Sequence, residues 1–202
     1  MIGAMLLVPT LVNAQAAKTL VVLGDSLAAG LGVDPEQAFP ALLQDKITAA
    51  GLNYTVVNAG VSGDTSADGL NRLNWLLRRR IDALLLELGG NDGLRGISVS
   101  ATRENLQSII DRLKQKYPDA KIIIAGMQMP PNMGADYTEA FRNLYPELAE
   151  TNHAALVPFL LEGVGGRPGL NQPDHIHPTA EGHKIVAENV WKVLKPVLDG
   201  SK

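Results

Sequence analysis

Short runs of consecutive apolar residues set the strongest limit on how this chain can fold. Leu84-Leu85-Leu86 and Ile122-Ile123-Ile124 are not interrupted by polar residues. Strands that are apolar on both faces belong to parallel sheets that helices cover on both sides. Short apolar runs of this kind predict strands at 19–23, 54–58, 83–88, 121–125 and 155–158.

Helical patterns fill the stretches between these strands. They cover 36–50, 66–80, 102–117, 138–152 and 179–198. Gly51 and Pro118 follow two of them directly, where helices commonly end. Asp136 and Glu139 predict a capping box at the start of the fourth. Strands that alternate with helices predict an α/β fold, a three-layer α/β/α sandwich around one five-stranded parallel sheet.

The composition excludes several classes of protein. The 202 residues are enough for one domain, and a chain with 46% apolar and 19% charged residues is not disordered. A formal net charge of −3 argues against binding to nucleic acid, because neutralising phosphates needs clustered Lys and Arg. The chain contains no cysteine, which excludes disulfides, thiolate nucleophiles and cysteine-ligated metal clusters.

The first residues predict a segment that is removed from the mature protein. Residues 2–12 are almost wholly apolar, and Ala14-Gln15-Ala16 follows as a small-x-small cleavage site. The run is too short for a membrane span, which takes about 20 residues. We therefore expect a signal peptide over 1–17, one domain over 18–202, export to the periplasm or the medium, and no stable membrane insertion after cleavage. No Lys or Arg precedes the run, which leaves a buried N-terminal helix or strand as the alternative.

Four loops carry the polar residues that this fold would bring together. Gly24-Asp25-Ser26-Leu27 follows the first predicted strand, Asn58-Ala59-Gly60 ends the second, and Gly89-Gly90-Asn91-Asp92 follows the third. Asp174-His175-Ile176-His177-Pro178 precedes the last predicted helix. Because the working residues of such sheets lie beyond the carboxyl ends of the strands, we expect all four loops to converge at one edge of the sheet.

Ser26, His177 and Asp174 are the residue types that acyl transfer uses together. A serine hydroxyl becomes a good nucleophile only when a neighbouring base takes its proton, and histidine is the base suited to neutral pH. Asp174 lies three residues before His177, so one tight turn can bring its carboxylate to the imidazole Nδ1 and fix the tautomer. Taken alone, Ser26 also suits the N-cap of the helix that follows it.

The same loops supply donors for the oxyanion that forms during acyl transfer. The three candidates are the backbone N–H of Ser26, the backbone N–H of Gly60 and the side-chain amide of Asn91. One such donor lowers the barrier by about 2.7–4 kcal/mol. Simpler roles remain open for two of them, because glycine suits any tight strand exit and asparagine often occupies turns.

These motifs, in this order, resemble the four sequence blocks of the SGNH (GDSL) hydrolases. The resemblance covers nearly the whole chain from Leu20 onward. Residues 86–96 are similar to the bacterial periplasmic branch of multifunctional acyl-CoA thioesterases, proteases and lysophospholipases, also called arylesterases. Each block alone is a weak pattern, whereas four blocks in order at these intervals are specific.

The resemblance implies a metal-independent serine esterase without a cofactor, on a flavodoxin-like fold. Ser26 is then the nucleophile, His177 the base and Asp174 its partner. The oxyanion hole is formed by Ser26, Gly60 and Asn91. The implied substrates are small acyl esters and thioesters, among them aryl esters, short or medium acyl esters and lysophospholipids. No feature of the sequence suggests an obligate partner, so we expect a monomer.

Two positions depart from the pattern of this family. His175 stands where members commonly have glycine, so a side chain is present beside the predicted base. The segment 127–134 resembles the substrate-side loop of the family, in which an aromatic residue often precedes the glycine. Met133 stands there in this chain, and methionine is softer and more adaptable than a ring. The resemblance implies substrate contacts at Met129, Pro130 and Met133.

Other interpretations of these residues stay open from the sequence. Asp174, His175, His177 and His183 together also suit a zinc site. A carbohydrate O-acetyl esterase of the same superfamily and a non-catalytic flavodoxin-like binding module are the alternative functions. An α/β-hydrolase is disfavoured, because the pattern Gly-x-Ser-x-Gly is absent around Ser26.

Three further acids are expected to support loops. Asp25 and Asp92 are expected to accept hydrogen bonds from loop amides. Glu87, which stands among leucines, is expected to be a buried, hydrogen-bonded carboxylate.

Overall fold

Five parallel strands form the central sheet of the computed structural model, which describes residues 16–201. The strands are β1 (Lys18–Gly24), β2 (Tyr54–Gly60), β3 (Ala83–Glu87), β4 (Lys121–Ala125) and β5 (Ala155–Val157). Their spatial order is β2-β1-β3-β4-β5, and every neighbouring pair is parallel. The predicted five-stranded parallel sheet is confirmed, with strand ends within two residues of the prediction.

Helices cover both faces of this sheet. They are α1 (Ser26–Ala29), α2 (Phe39–Ala49), α3 (Ser66–Leu76), α4 (Gly90–Leu94), α5 (Val99–Lys116), α6 (Ala135–Asn152) and α7 (Ala180–Asp199). α2 packs against α7, whereas α5 contacts both α3 and α6. The two groups of helices and the sheet between them make the three-layer α/β/α sandwich that the alternation of patterns predicts.

The uninterrupted apolar runs lie in the core. In β1, β3 and β4 the side chains of residues 20–23, 84–86 and 122–124 are buried, because helices cover the sheet on both sides. Each fully buried aliphatic side chain contributes about 1.5–3 kcal/mol relative to an exposed one. The sheet is therefore a rigid platform for the loops at its edges.

The ends of three strands are held side by side at the carboxyl edge of the sheet. Gly24, the last residue of β1, pairs with Gly60 of β2 on one side and with Glu87 of β3 on the other. A Cβ at Gly24 would collide with the Glu87 carboxylate and with Ala28, and a Cβ at Gly60 would collide with the backbone of α1. The loops that follow β1, β2 and β3 therefore begin in contact with one another.

Three local features differ from the prediction. The helix expected at 36–50 is divided into a 3-10 turn, Pro35–Gln37, and α2, because Ala38 between them is extended. The predicted capping box at Asp136 is wrong: α6 begins at Ala135, and Gly134 at the N-cap position offers no side chain. The short helix α4 was not predicted, and α1 was expected only as a helix that Ser26 could cap, because one turn of helix shows no periodicity.

The second predicted helix, 66–80, also ends earlier than expected, at Leu76 instead of residue 80. The Tyr117 hydroxyl, which follows α5, lies within 3.0 Å of the Leu77 carbonyl oxygen and 2.8 Å of the Arg79 carbonyl oxygen. This contact stabilises the carbonyl groups that a longer helix would have bonded internally.

The predicted signal peptide, 1–17, falls outside the described residues except for its last two, and it stays a prediction. No helix within residues 16–201 is both long and apolar enough to cross a membrane.

Candidate active site

Ser26 is the first residue of α1, at the turn that follows β1. Asp25 is the N-cap of this helix, since its Oδ1 accepts a hydrogen bond from the Leu27 N–H at 2.9 Å. The interpretation of Ser26 as the helix cap is therefore wrong, and its hydroxyl group makes a different contact. Gly30 ends the helix after one turn with φ +76°, a conformation that favours glycine.

A continuous hydrogen-bonded chain joins Ser26, His177 and Asp174. Ser26 Oγ lies 2.8 Å from His177 Nε2, and His177 Nδ1 lies 2.6 Å from Asp174 Oδ2. The serine and the histidine are 151 residues apart in the sequence, so only the fold brings them together. With this geometry His177 can accept the Ser26 proton while Asp174 holds the Nδ1–H tautomer.

Asp174 is held by the turn that it begins. Its Oδ1 accepts hydrogen bonds from the backbone N–H groups of Ile176 at 2.9 Å and His177 at 3.0 Å. The hydrogen bond with the His177 ring, together with these two backbone bonds, lowers the pKa of the Asp174 carboxyl to about 2. Its side chain is 43% exposed, so this carboxylate is ionised and partly hydrated at neutral pH.

His175 lies in the middle of this turn with φ +61°, in the left-handed region. A residue with a Cβ in this region costs about 1–2 kcal/mol, which is the physical reason that glycine suits the position. The His175 side chain is exposed. It therefore occupies the surface of the turn.

His183 is separated from the other histidines by its packing. It is buried in α7, its Nδ1 accepts a hydrogen bond from the Phe39 N–H at 3.2 Å, and its ring stacks on that of Phe39. Burial lowers the pKa of His183 to about 4. Within residues 16–201 no group of three or more His, Asp or Glu side chains is arranged to hold a metal ion. The zinc interpretation has no geometric support.

Two of the predicted oxyanion donors are backbone groups at neighbouring strand ends. The Ser26 N–H belongs to the first turn of α1, where helix N–H groups have no partner within the helix. Gly60 is the last residue of β2, and its N–H donates to Asn58 Oδ1 at 2.9 Å. Asn58 is itself held by a bond from its Nδ2 to the Ala28 carbonyl at 2.7 Å. An oxyanion that binds the Gly60 N–H would share this donor with Asn58 Oδ1 or displace Asn58 Oδ1 from it.

The third predicted donor, the Asn91 amide, lies in α4 and points back toward the first loop. Its Nδ2 donates to Asp25 Oδ2 at 3.1 Å and to the backbone carbonyl of Asp64 at 3.0 Å. Both acceptors belong to loops that flank Ser26 along the same sheet edge. The amide is thus fixed in orientation, with its NH₂ group on the side of the Asp25–Ser26 turn.

Two buried carboxyl groups lie beneath this turn. Asp25 is only 3% exposed, and its backbone N–H donates to Oε2 of Glu87, which is 1% exposed, at 3.1 Å. Burial raises the pKa of Asp25 to about 6, with the Leu27 N–H bond acting in the opposite direction. Burial, followed by the nearby Asp25 charge, raises the pKa of Glu87 well above its usual range. Both groups support loop amides, as predicted.

Asp92 supports a different loop. Its Oδ2 accepts the Ser66 N–H at 2.8 Å, and its Oδ1 accepts from the hydroxyl of Thr102 at 3.3 Å. It ties α4 to the beginning of α3 and to α5, and it takes no part in the Ser26–His177–Asp174 chain.

Arg72 is a supporting residue that the sequence did not reveal. Its Nη2 donates to the Gly24 carbonyl at 3.0 Å, and its Nε forms an ion pair with Asp64 Oδ2 at 2.6 Å. It therefore fixes both the residue before Asp25 and the loop whose carbonyl accepts from Asn91. Asp64 and Arg72 are eight residues apart across the start of α3, and no local pattern indicates this pairing.

The predicted substrate loop follows β4. Met129 is buried against α4, where a Cβ at Gly93 would collide with its sulfur atom. Pro130 is exposed, and Met133 ends a 3-10 turn and packs partly against the core. The loop thus borders the helix that carries Asn91. Substrate contacts at these three residues stay a prediction.

Comparison with known proteins finds one family along most of the chain. Residues 22–185 match the GDSL-like lipase/acylhydrolase family. Esterase TesA of Pseudomonas aeruginosa is 48% identical over 189 residues, which is 93% of this chain and 93% of that protein. Thioesterase 1/protease 1/lysophospholipase L1 of Escherichia coli is 40% identical over 188 residues, which is 93% of this chain and 88% of that protein.

A solved structure shows the same similarity in three dimensions. The crystal structure of TesA matches with a TM-score of 0.86 and 47% sequence identity, and the match covers 90% of this chain and 100% of that one. The resemblance drawn from the four sequence blocks is confirmed, and so is the fold class.

Proposed function

Because the chain belongs to the GDSL-like lipase/acylhydrolase family, we propose that it is a serine esterase acting through an acyl-enzyme intermediate. The observation that carries the proposal is the hydrogen-bonded chain from Ser26 Oγ through both ring nitrogens of His177 to Asp174 Oδ2. A nucleophile, a base and an orienting carboxylate in contact are the parts that acyl transfer requires.

In the first half of the reaction Ser26 Oγ attacks the carbonyl carbon of the ester. His177 Nε2 takes the hydroxyl proton, and the charge of Asp174 stabilises the imidazolium that forms. The carbonyl oxygen becomes an oxyanion that accepts hydrogen bonds from the Ser26 N–H, the Gly60 N–H and the Asn91 amide. His177 then gives its proton to the leaving alcohol or thiol, which leaves the acyl group on Ser26.

In the second half water replaces the leaving group. His177 takes a proton from this water, the resulting hydroxide attacks the acyl-Ser26 carbonyl, and the same donors stabilise the second oxyanion. The proton returns to Ser26 Oγ as the acid leaves. The enzyme needs no metal ion and no cofactor for these steps, because each proton and charge has a partner among the residues named.

Apolar side chains near the site support acyl esters as the substrate class. Five large apolar residues within 16–201 are exposed. Trp75 lies in α3, whereas the other four follow the strand ends or lie in the Asp174 turn: Leu31 after α1, Val61 after β2, Leu94 at the end of α4, and Ile176 in the turn. Exposed apolar surface beside a catalytic group suits an acyl chain or an aryl ring. We propose aryl esters, short or medium acyl esters, lysophospholipids and acyl thioesters as substrates, with contacts to Met129, Pro130 and Met133.

We also propose that the enzyme is exported as a monomer. The apolar run at 2–12 followed by Ala14-Gln15-Ala16 supports cleavage near residue 17, and the three residues of the hydrogen-bonded chain come from one polypeptide. N-terminal sequencing of exported protein is expected to begin near Ala17, and an intact Met1 on exported protein would contradict cleavage. Light scattering after size exclusion is expected to give the mass of one chain, and a dimer mass would contradict the monomer.

A fluorophosphonate probe tests the nucleophile directly, because it reacts covalently with an activated serine. The wild-type protein is expected to be labelled, Ser26→Ala is expected to be unlabelled, and Ser98→Ala, which removes an exposed serine outside the site, is expected to be labelled like the wild type. Labelling that persists in folded Ser26→Ala would overturn the assignment. A wild-type protein that takes no label would favour the binding-module alternative.

A further inference from the structure

The Asp25 carboxylate connects two elements of the site that are far apart in the sequence. Its Oδ1 accepts the Leu27 N–H at 2.9 Å and so shapes the turn that presents Ser26. Its Oδ2 accepts from Asn91 Nδ2 at 3.1 Å. One buried side chain thus contacts both the loop of the proposed nucleophile and a proposed oxyanion donor.

The surroundings of this carboxylate leave it little freedom to move. The Asp25 backbone N–H is bonded to the buried Glu87 carboxyl at 3.1 Å. Gly24 is packed against Glu87 and Ala28 with no space for a Cβ, and a Cβ at Gly90 would lie 3.4 Å from Asp25 Oδ2. Strand β3 and the start of α4 therefore hold the carboxylate in place on both sides.

An asparagine donor needs this kind of support because its side chain has two ends of nearly equal size. A rotation of 180° about the last side-chain bond exchanges the NH₂ group for the carbonyl oxygen. A carbonyl oxygen facing an oxyanion would repel it. At Asn91 both neighbouring acceptors, Asp25 Oδ2 and the Asp64 carbonyl, accept from the NH₂ group and would repel the carbonyl end of a rotated amide.

We propose that Asp25 is a positioning residue for ester hydrolysis, whose carboxylate holds the Asn91 amide with its NH₂ group ready for the oxyanion. The proposal rests on the proposed role of Asn91 as a donor. When the oxyanion forms, it takes one N–H from the Asp64 carbonyl, a neutral acceptor, while Asp25 keeps the other. Asp25 therefore acts through Asn91 and touches neither the substrate nor the reacting atoms.

A purely structural role for Asp25, as the cap of α1, makes a different prediction. Loss of a cap lowers stability, and it changes the amount of folded enzyme without acting specifically on the transition state. A positioning role acts on the charge that exists only in the transition state, so its loss lowers kcat and leaves KM nearly unchanged.

The first variant is Asp25→Asn, which keeps the size of the side chain and an oxygen acceptor for the Leu27 N–H. Its NH₂ group then faces the NH₂ group of Asn91, and the two donors repel each other. With p-nitrophenyl esters we expect kcat per fluorophosphonate-reactive site to fall about a hundredfold, near the lower end of the loss for one oxyanion donor, with KM changed less than about threefold. Asp25→Ser keeps a capping hydroxyl without reaching Asn91, and we expect a similar loss.

The matched control is Asp92→Asn, the same substitution at a neighbouring buried carboxyl that bonds Ser66 and Thr102 and has no bond to Asn91. We expect a lower Tm and a kcat within about threefold of the wild type. An equal loss of kcat in Asp92→Asn and Asp25→Asn would overturn the proposal, because the effect would then belong to any buried acid in this region.

A double-mutant cycle separates this proposal from the proposed function. Asn91→Ala alone is expected to lower kcat by a hundredfold or more, and Asp25→Asn/Asn91→Ala is expected to stay within about threefold of that single variant. Losses that multiply would overturn the positioning role, and so would an Asp25→Asn variant with wild-type kcat. If Asn91→Ala keeps the wild-type kcat, the donor role fails, and the positioning role fails with it, while Ser26 labelling still tests the esterase itself.

Discussion

One aspartate precedes the proposed nucleophile and another precedes the proposed base, and the protein gives the two opposite environments. Asp25 precedes the nucleophile and is 3% exposed, and burial raises its pKa to about 6. Asp174 precedes the base in a turn on the surface, its side chain is 43% exposed, and hydrogen bonds lower its pKa to about 2. The proposed nucleophile is therefore held by the core, whereas the proposed base is held by a local turn.

This difference indicates what each carboxylate can do. An ionised group that stays hydrated is available to stabilise a positive imidazolium at any neutral pH, which suits Asp174. A buried carboxyl group that contacts a proposed oxyanion donor can act by fixing the orientation of that donor, which suits Asp25.

Removing the base on the surface side has the largest expected effect. His177→Ala leaves Ser26 without a proton acceptor, so we expect kcat to fall at least about a thousandfold. The thermal midpoint should stay within a few degrees of the wild type, because the turn contributes little to the core. Steady-state hydrolysis of p-nitrophenyl esters and a thermal melt measure the two quantities, and nearly normal hydrolysis would mean that another base is used.

The Asp174→Asn substitution has the next largest expected effect on activity. The new NH₂ group would face His177 Nδ1 and favour the tautomer whose Nε2 carries the proton, which cannot accept from Ser26. We expect kcat to fall about a hundredfold, less than for a buried aspartate, because water can partly replace an exposed carboxylate. His175→Gly, in the same turn, is the control and should keep kcat within about threefold. Equal kcat values for the wild type and Asp174→Asn would exclude an orienting role.

The raised pKa of the buried Asp25 carboxyl predicts that the stability of the protein depends on pH. The folded-state pKa of Asp25, about 6, lies above the ordinary value of 3.8, so the folded protein binds this proton more tightly than the unfolded chain. The associated stability is present below about pH 4 and is lost as the pH rises through 6. Relative to the wild type, Asp25→Asn should therefore gain stability between pH 4 and pH 8, by up to about 3 kcal/mol.

Urea unfolding of both proteins at pH 4.5 and pH 8 measures this gain. The pH-independent effects of the substitution, such as a weaker helix cap, cancel when the two pH values are compared. A stability difference that is the same at both values would show that Asp25 titrates normally in the folded protein.

Glu87→Gln has the smallest expected effect. Burial raises the pKa of Glu87 well above its usual range, which favours the neutral carboxyl group, and an amide of the same shape can accept the Asp25 N–H. We expect less than about 1 kcal/mol of lost stability and a kcat within about twofold. Glu87→Leu, which removes the acceptor, should lose about 1–3 kcal/mol. A large loss in Glu87→Gln would mean that this carboxyl is ionised.

Local sequence patterns located the strands correctly and failed for some helix boundaries, such as the capping box expected at Asp136. Uninterrupted apolar runs such as Leu84-Leu85-Leu86 located the sheet, because burial on both faces leaves no other pattern. The spacing of Asp174 and His177 indicated a contact between them, because three residues are one turn of chain. The order of the four motifs then located Ser26 near this pair.

The parts that depend on contacts between distant segments were not predictable. The bond between Asp25 and Asn91 joins residues 66 positions apart, and neither residue type shows which partner it has. Arg72 supports Gly24 across 48 positions from the middle of a helix that reads as ordinary amphipathic sequence. The 3-10 turn before α2 is closed by a bond from the Asp34 N–H to Gln37 Oε1 at 3.3 Å, and the extended Ala38 separates this turn from α2, although alanine carries no signal for an extended residue.

The separation of 151 positions between Ser26 and His177 also determines when the growing chain becomes active. A ribosome makes the segment with the hydroxyl group first, and β1, β2 and β3 can form their parallel pairs before the imidazole has been translated. During that interval the nascent chain carries a serine without its base and is chemically inert toward esters. Activity begins only when the segment with the Asp174 turn has followed and docked on the finished sheet.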